Sequence, residues 1–183
     1  IFSCAKKPLP SYLENPAKHF KYPLSKYITA VGISLDSQLD AELQAKAQIS
    51  SQIKSSLKSV TTSVINEVKT NNSIESNQDF LSKIIVETEF KNVELIKVDH
   101  KASQKYEHKY YIFAYLKKDE LLEVHFKEYE KNELLFDAYS KQTGKAFSAF
   151  DYQLFKNNYS FATNSMAELY KTYFFVRAIK NEA

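Results

Sequence analysis

The sequence predicts an α+β fold, with one long helix lying across a three-stranded antiparallel sheet and an all-helical extension after it. Three observations predict it. A short β-branched and aromatic run, Tyr27 to Leu35, leads into the longest helical periodicity in the chain. Two further runs of alternating character follow, and after Asp119 only helical spacing remains. A chain of 183 residues, 44% of them hydrophobic, can bury one proper core plus an appendage and lies well away from disordered compositions.

Residues 1–26 hold all four prolines, Pro8, Pro10, Pro16 and Pro23, with no period of two or 3.6, and read as an extended, solvated tether. Residues 27–118 are the expected α+β domain. "YITAVGISL" sets Thr29, Val31, Ile33 and Leu35 on one face of a strand, and Asp36 and Ser37 offer an N-cap to the helix that follows. Leu39, Leu43, Ala47, Ile49, Ile53, Leu57, Val60, Val64 and Val68 form an apolar stripe along that helix. The β-branched run Thr61 to Ile65 lowers helix propensity and predicts a kink or early stop. "TNNSIESNQ", Thr70 to Gln78, is a loop by composition.

"KIIVETEFKNVELIKVD", Lys83 to Asp99, alternates and then changes phase at Val93, as a bulge at Lys91-Asn92 would cause. "YYIFAYLKK", Tyr110 to Lys118, is the third strand, and the polar loop Lys101 to Lys109 makes a hairpin of the two. Residues 119–183 form the helical extension. Leu122, Phe126, Tyr129, Phe136 and Tyr139 mark the buried side of a helix ending near Gly144 as its C′ glycine. Phe147, Phe150 and Leu154, then Met166, Leu169, Tyr170, Tyr173 and Phe174, predict two more helices.

Composition also removes functions. With only Gly32 and Gly144, the glycine-rich loops that cradle phosphates cannot form, and no cofactor is expected. Arg177 is the lone arginine, and the net charge of +3 is concentrated in the tail, where Lys6, Lys7, Lys18, Lys21 and Lys26 face Glu14 alone. A nucleic-acid partner is therefore not expected. No apolar stretch reaches the roughly 20 residues that span a bilayer.

The single cysteine lies in "IFSCAKKPLP". Ile1, Ser3 and Cys4 resemble the lipobox of a bacterial lipoprotein precursor, in which the cysteine thiol takes a diacylglycerol before the signal segment is cut away; the missing initiator Met implies a start partway into a longer product. Phe2 is bulkier than the usual residue there. Several acyl chains, each contributing about 0.8 kcal/mol per buried CH₂, would hold the protein on a membrane, with the neighbouring lysines adding attraction to anionic headgroups. No second cysteine competes for the thiol.

The strand "ITAVGIS", the helix "AELQAKAQISSQIKSSLKS" and the strand "YYIFAYLKK" running into "DELLEV" resemble the Lpp-twenty lipoproteins, small envelope proteins of epsilonproteobacteria, over roughly Tyr27 to Leu122. The resemblance implies an acylated, non-catalytic protein of the outer membrane or cell surface, with envelope or flagellum-associated partners and no active-site residues. A periplasm-facing location is compatible with it. The loop Lys101 to Lys109 is longer than the pattern, and the helices beyond Asp119 extend past it.

Catalytic constellations are weak. His19, His100, His108 and His125 are scattered, and the best metal candidates, His100 and His108 with Asp99 and Glu107, would converge only if a hairpin turned between them. Tyr170, Tyr173 and Phe174 are the candidate interaction patch, since aromatics dominate protein contacts. The expected function is a non-enzymatic envelope lipoprotein anchored through Cys4; the alternative is a periplasmic module that binds a small molecule or peptide in an apolar pocket.

Overall fold

The structure, a computed structural model, describes residues 8–70 and 90–180. Cys4, and residues 83–89 of the strand expected over Lys83 to Asp99, lie outside the described residues. The fold is α+β, with an open antiparallel sheet of four strands where three were expected. The chain forms two compact units, residues 1–53 with 90–121 and residues 54–89 with 122–183. The domain expected over 27–118 therefore divides within its long helix.

In the first unit, α1 (Ser11–Glu14) and a 3₁₀ turn (Pro16–Lys18) precede β1 (Tyr27–Ser34) and the start of α2 (Gln38–Thr70). A second 3₁₀ turn (Val93–Leu95), β2 (Lys97–Val98), β3 (Gln104–Tyr106) and β4 (Lys109–Lys117) complete it. The first turn of α3 (Lys118–Ser148) follows β4 directly. β4 is the hub: it pairs with β1 along its length, from Tyr27 opposite Lys117 to Ser34 opposite Tyr110, and with β2 and β3 at its other edge. A strand paired on both edges and covered on both faces should be apolar throughout its middle, and Ile112, Phe113, Ala114 and Leu116 are all buried.

One face of the sheet takes α2 at very short range. An ideal Cβ on Gly32 would lie 1.7 Å from the carbonyl oxygen of Ala41 and 2.6 Å from the amide nitrogen of Ala45, so only a residue without a side chain fits. Close approach also requires small residues on the helix. Ala41 and Ala45 are fully buried there, while Leu39 and Leu43 are 63% and 56% exposed and Ala47 is exposed. The stripe expected from Leu39 is thus replaced at its start by an alanine stripe, which Ile49 and Ile53 continue. The cap is as expected: Ser37 Oγ accepts from Asp40 N at 3.0 Å and donates to Asp40 Oδ2 at 2.6 Å. Helix α2 runs through Thr61 to Thr70, and the hydroxyls of Thr61 and Thr62 donate back to the carbonyls of Leu57 and Lys58.

The other face is covered by the N-terminal segment, which overturns the tether reading for the residues from Pro8 onward. Leu13 and Tyr22 join Val31, Ala102 and Phe113 in one cluster, with Leu9, Tyr12, Tyr27, Tyr111 and Tyr115 packed against it. The prolines set turns here instead of an extended spacer. Pro10 caps α1, Pro16 opens the 3₁₀ turn, and the Pro23 carbonyl accepts from the amides of Lys26 and Tyr27.

The second unit contains α2 from Lys54 onward, α3 from Leu122 onward and α4 (Tyr152–Lys180). Ring contacts zip α3 and α4 into an antiparallel hairpin: His125 on Phe175 at 4.3 Å, Tyr139 on Phe161 at 5.0 Å and Phe147 on Phe155 at 5.9 Å. Three details differ from expectation. Gly144 does not end α3, because its φ is not positive; the helix closes at Phe150, whose φ of 56° occupies the left-handed position glycine usually takes. A single helix follows instead of two. The inward face of α3 is turned by one residue, with His125 buried and Phe126 exposed, because the Phe175 ring receives the imidazole.

Candidate functional site

The second unit carries an apolar groove on the α3–α4 hairpin. Spacing explains it. Met166, Leu169, Tyr170 and Tyr173 recur at three and four residues along α4, while Asn158, Ala162, Ser165 and Thr172 form a different, buried face. Small side chains at the buried face let helices approach closely, so the larger aromatic and apolar groups are left to line a groove. Tyr129 and Phe136 of α3 supply the opposite wall, and the open groove has a volume of about 360 Å³.

Of the candidate patch, Tyr170 and Tyr173 line this groove. Phe174 does not belong to a surface patch: it is fully buried, because it points to the interior one residue on from Tyr173. At one end of the groove the Arg177 guanidinium lies 5.7 Å from the Tyr173 ring centre, and its Nη1 donates to the phenol oxygen at 3.4 Å. The lining is aromatic, aliphatic and thioether with three phenols. Such a surface can bury an apolar side chain or ring, and it offers no carboxylate or imidazole for proton transfer.

The metal candidates are separated by the hairpin meant to unite them. Glu107 and His108 form the two-residue turn between β3 and β4, with φ of 46° and 66°, the backbone of a tight hairpin turn. Asp99 is engaged elsewhere. Its Oδ2 accepts from the Tyr22 hydroxyl at 2.6 Å and from Lys21 Nζ at 3.1 Å, and its Oδ1 accepts from the amides of Lys101 and Ala102 at 2.9 and 3.3 Å. Among the described residues, no three His, Cys, Asp or Glu side chains are gathered to hold a metal ion.

This knot has its own electrostatics. Burial alone would raise the Asp99 carboxyl, but the bonds from Tyr22, Lys21 and the two amides outweigh it and hold the group down at about 2. Burial, and then the bond to Asp99, push the Tyr22 phenol up to about 12. Tyr22 and Asp99 thereby fasten the N-terminal segment to the sheet edge. Nearby, His19 is buried among Tyr12, Tyr22 and Phe113, and burial lowers its pKa.

His125, in the sequence only one of the scattered histidines, is buried in the helical hairpin. Its ring is buried against Phe175, and its Nδ1 lies 3.3 Å from Glu128 Oε2 without hydrogen-bond geometry. Burial lowers its pKa against the opposing pull of Glu128. A second feature was legible only as helix periodicity: the exposed aromatic end of the hairpin, at Phe147, Phe150 and Tyr152.

No family model matches the chain, and no curated protein or solved structure matches it.

Proposed function

We propose that this chain is a lipid-anchored bacterial envelope protein, held through Cys4 and acting by contact with other molecules instead of by catalysis. The observation that carries this reading is the sequence around the lone cysteine, Ile1-Phe2-Ser3-Cys4-Ala5-Lys6-Lys7, which resembles a lipobox followed by a basic start. No described helix is long and apolar enough to cross a membrane. The resemblance of Tyr27 to Leu122 to the Lpp-twenty lipoproteins favours the outer membrane or cell surface as its location.

The groove of Tyr129, Phe136, Met166, Leu169, Tyr170 and Tyr173 favours a second reading, a module that holds an apolar small molecule or peptide segment. The two are separable. Metabolic labelling with a radioactive fatty acid should mark the wild-type protein in its native cells and leave Cys4→Ser unlabelled, with the fold of the variant unchanged by circular dichroism. Absence of the label from the wild-type protein would contradict anchoring through Cys4.

A further inference from the structure

We propose that the tip of the α3–α4 hairpin is a contact for an anionic lipid bilayer. Phe150 is 94% exposed, and the neighbouring Phe147 and Tyr152 are 70% and 76% exposed. The rings bound an open cleft of about 310 Å³ with Ala146, Asp151 and Phe155. Apolar side chains gathered at the outer end of a helical hairpin are the form of an element that enters the headgroup and upper acyl region.

Phe150 adds a conformational argument. It occupies the left-handed position at the end of α3, where glycine or asparagine is unstrained and an aromatic residue is not. Its ring gains almost no burial within the protein, so no internal packing offsets the strain. A gain outside the chain, from burying the ring in a bilayer, would.

Part of the tip backbone is already paired within the protein. The amides of Ala149, Phe150 and Asp151 donate to the carbonyls of Lys145, Phe147 and Ala146, and the Leu154 amide donates to Asp151 Oδ1. These groups are satisfied before any contact with lipid, which removes the main penalty on taking them out of water. Charge selects the surface. Lys141, Lys145 and Lys156, all exposed, flank the rings against Asp151 alone, and Asp151 already caps α4. A lysine-flanked aromatic tip complements anionic headgroups over an apolar layer. This contact needs no acyl group on Cys4 and stands apart from the anchor.

The test uses the full chain with Cys4→Ser, mixed with vesicles of phosphatidylglycerol and phosphatidylcholine. The protein should cosediment with them and be released by raised salt, and vesicles of phosphatidylcholine alone should bind it much less. Phe150→Asn, which fits the left-handed backbone, should lower the partition coefficient at least about tenfold with the melting temperature unchanged or raised. Phe147→Ser should weaken binding in the same direction. Failure of the Cys4→Ser chain to bind anionic vesicles, or equal binding by Phe150→Asn, would overturn the proposal and leave the Cys4 reading standing. Self-association that depends on Phe150 without vesicles, or a photo-cross-link from position 150 into a protein instead of lipid in native envelopes, would overturn it in favour of another occupant. Vesicle binding by the Cys4→Ser chain that Phe150→Asn weakens would uphold it even if native Cys4 carried no acyl group.

Discussion

Asp99 accepts four hydrogen bonds from two parts of the chain, the N-terminal segment and the turn that follows Asp99 itself, and this makes it the residue on which the N-terminal segment depends. Asp99→Ala should destabilise the first unit by about 2–3 kcal/mol, the usual range for a charged hydrogen-bonded group whose partners are left unpaired. Chemical denaturation of the variant measures it. The folded carboxyl, at about 2, lies below its ordinary 3.8, so its contribution is complete above pH 4 and fades as pH falls toward 2. His125 acts in the opposite range. Its folded pKa is depressed from 6.5 by burial, so the unfolded chain binds the proton more readily and stability declines as pH drops below about 6.5. His125→Phe should flatten the melting temperature between pH 7.5 and pH 5.5 relative to wild type. An unchanged slope would show that His125 is not the titrating group. None of this was readable from sequence, because a histidine between Val124 and Phe126 carries no mark of burial or of a ring partner fifty residues on.

At the scale of elements, the contact of α2 with β1 is decided by absent atoms. Gly32→Ala drives a methyl group into backbone of Ala41 and Ala45, which cannot rotate aside. The expected loss is about 3 kcal/mol or more, beyond ordinary overpacking. Leu43→Glu, by contrast, alters an exposed side chain and should stay within about 0.5 kcal/mol of wild type. Thermal unfolding of both variants checks the contrast; equal losses would mean that the leucine stripe faces the sheet after all. The sequence showed where the long helix and the first and last strands lie, since their periods are strong. It misled on which face of α2 is buried, because hydrophobicity ranks leucine above alanine whereas close packing ranks them the other way. The same physics hid the inward face of α4, built on Asn158, Ala162, Ser165 and Thr172. The tail was misread for a related reason: proline at the start of a turn and proline in a spacer look alike until Leu13 and Tyr22 are seen to be buried.

At the scale of the whole molecule, the α+β frame gives a sheet unit and a helical unit, and the helical unit buries Phe174 and Phe175 while leaving Phe147, Phe150 and Tyr152 exposed. The lipidation candidate, Cys4, lies outside the described residues, and its reading rests on residue chemistry alone. The aromatic groove and the hairpin tip are the parts of the candidate surface that needed coordinates: the sequence put Tyr170, Tyr173 and Phe174 together, and only side-chain placement separates the two that line a groove from the one in the core. The most direct measurement is the intact mass of the Cys4-containing peptide from protein purified out of its native membranes. The account predicts that the peptide begins at Cys4 and carries the mass of a diacylglyceryl thioether. An unmodified cysteine thiol there would contradict it.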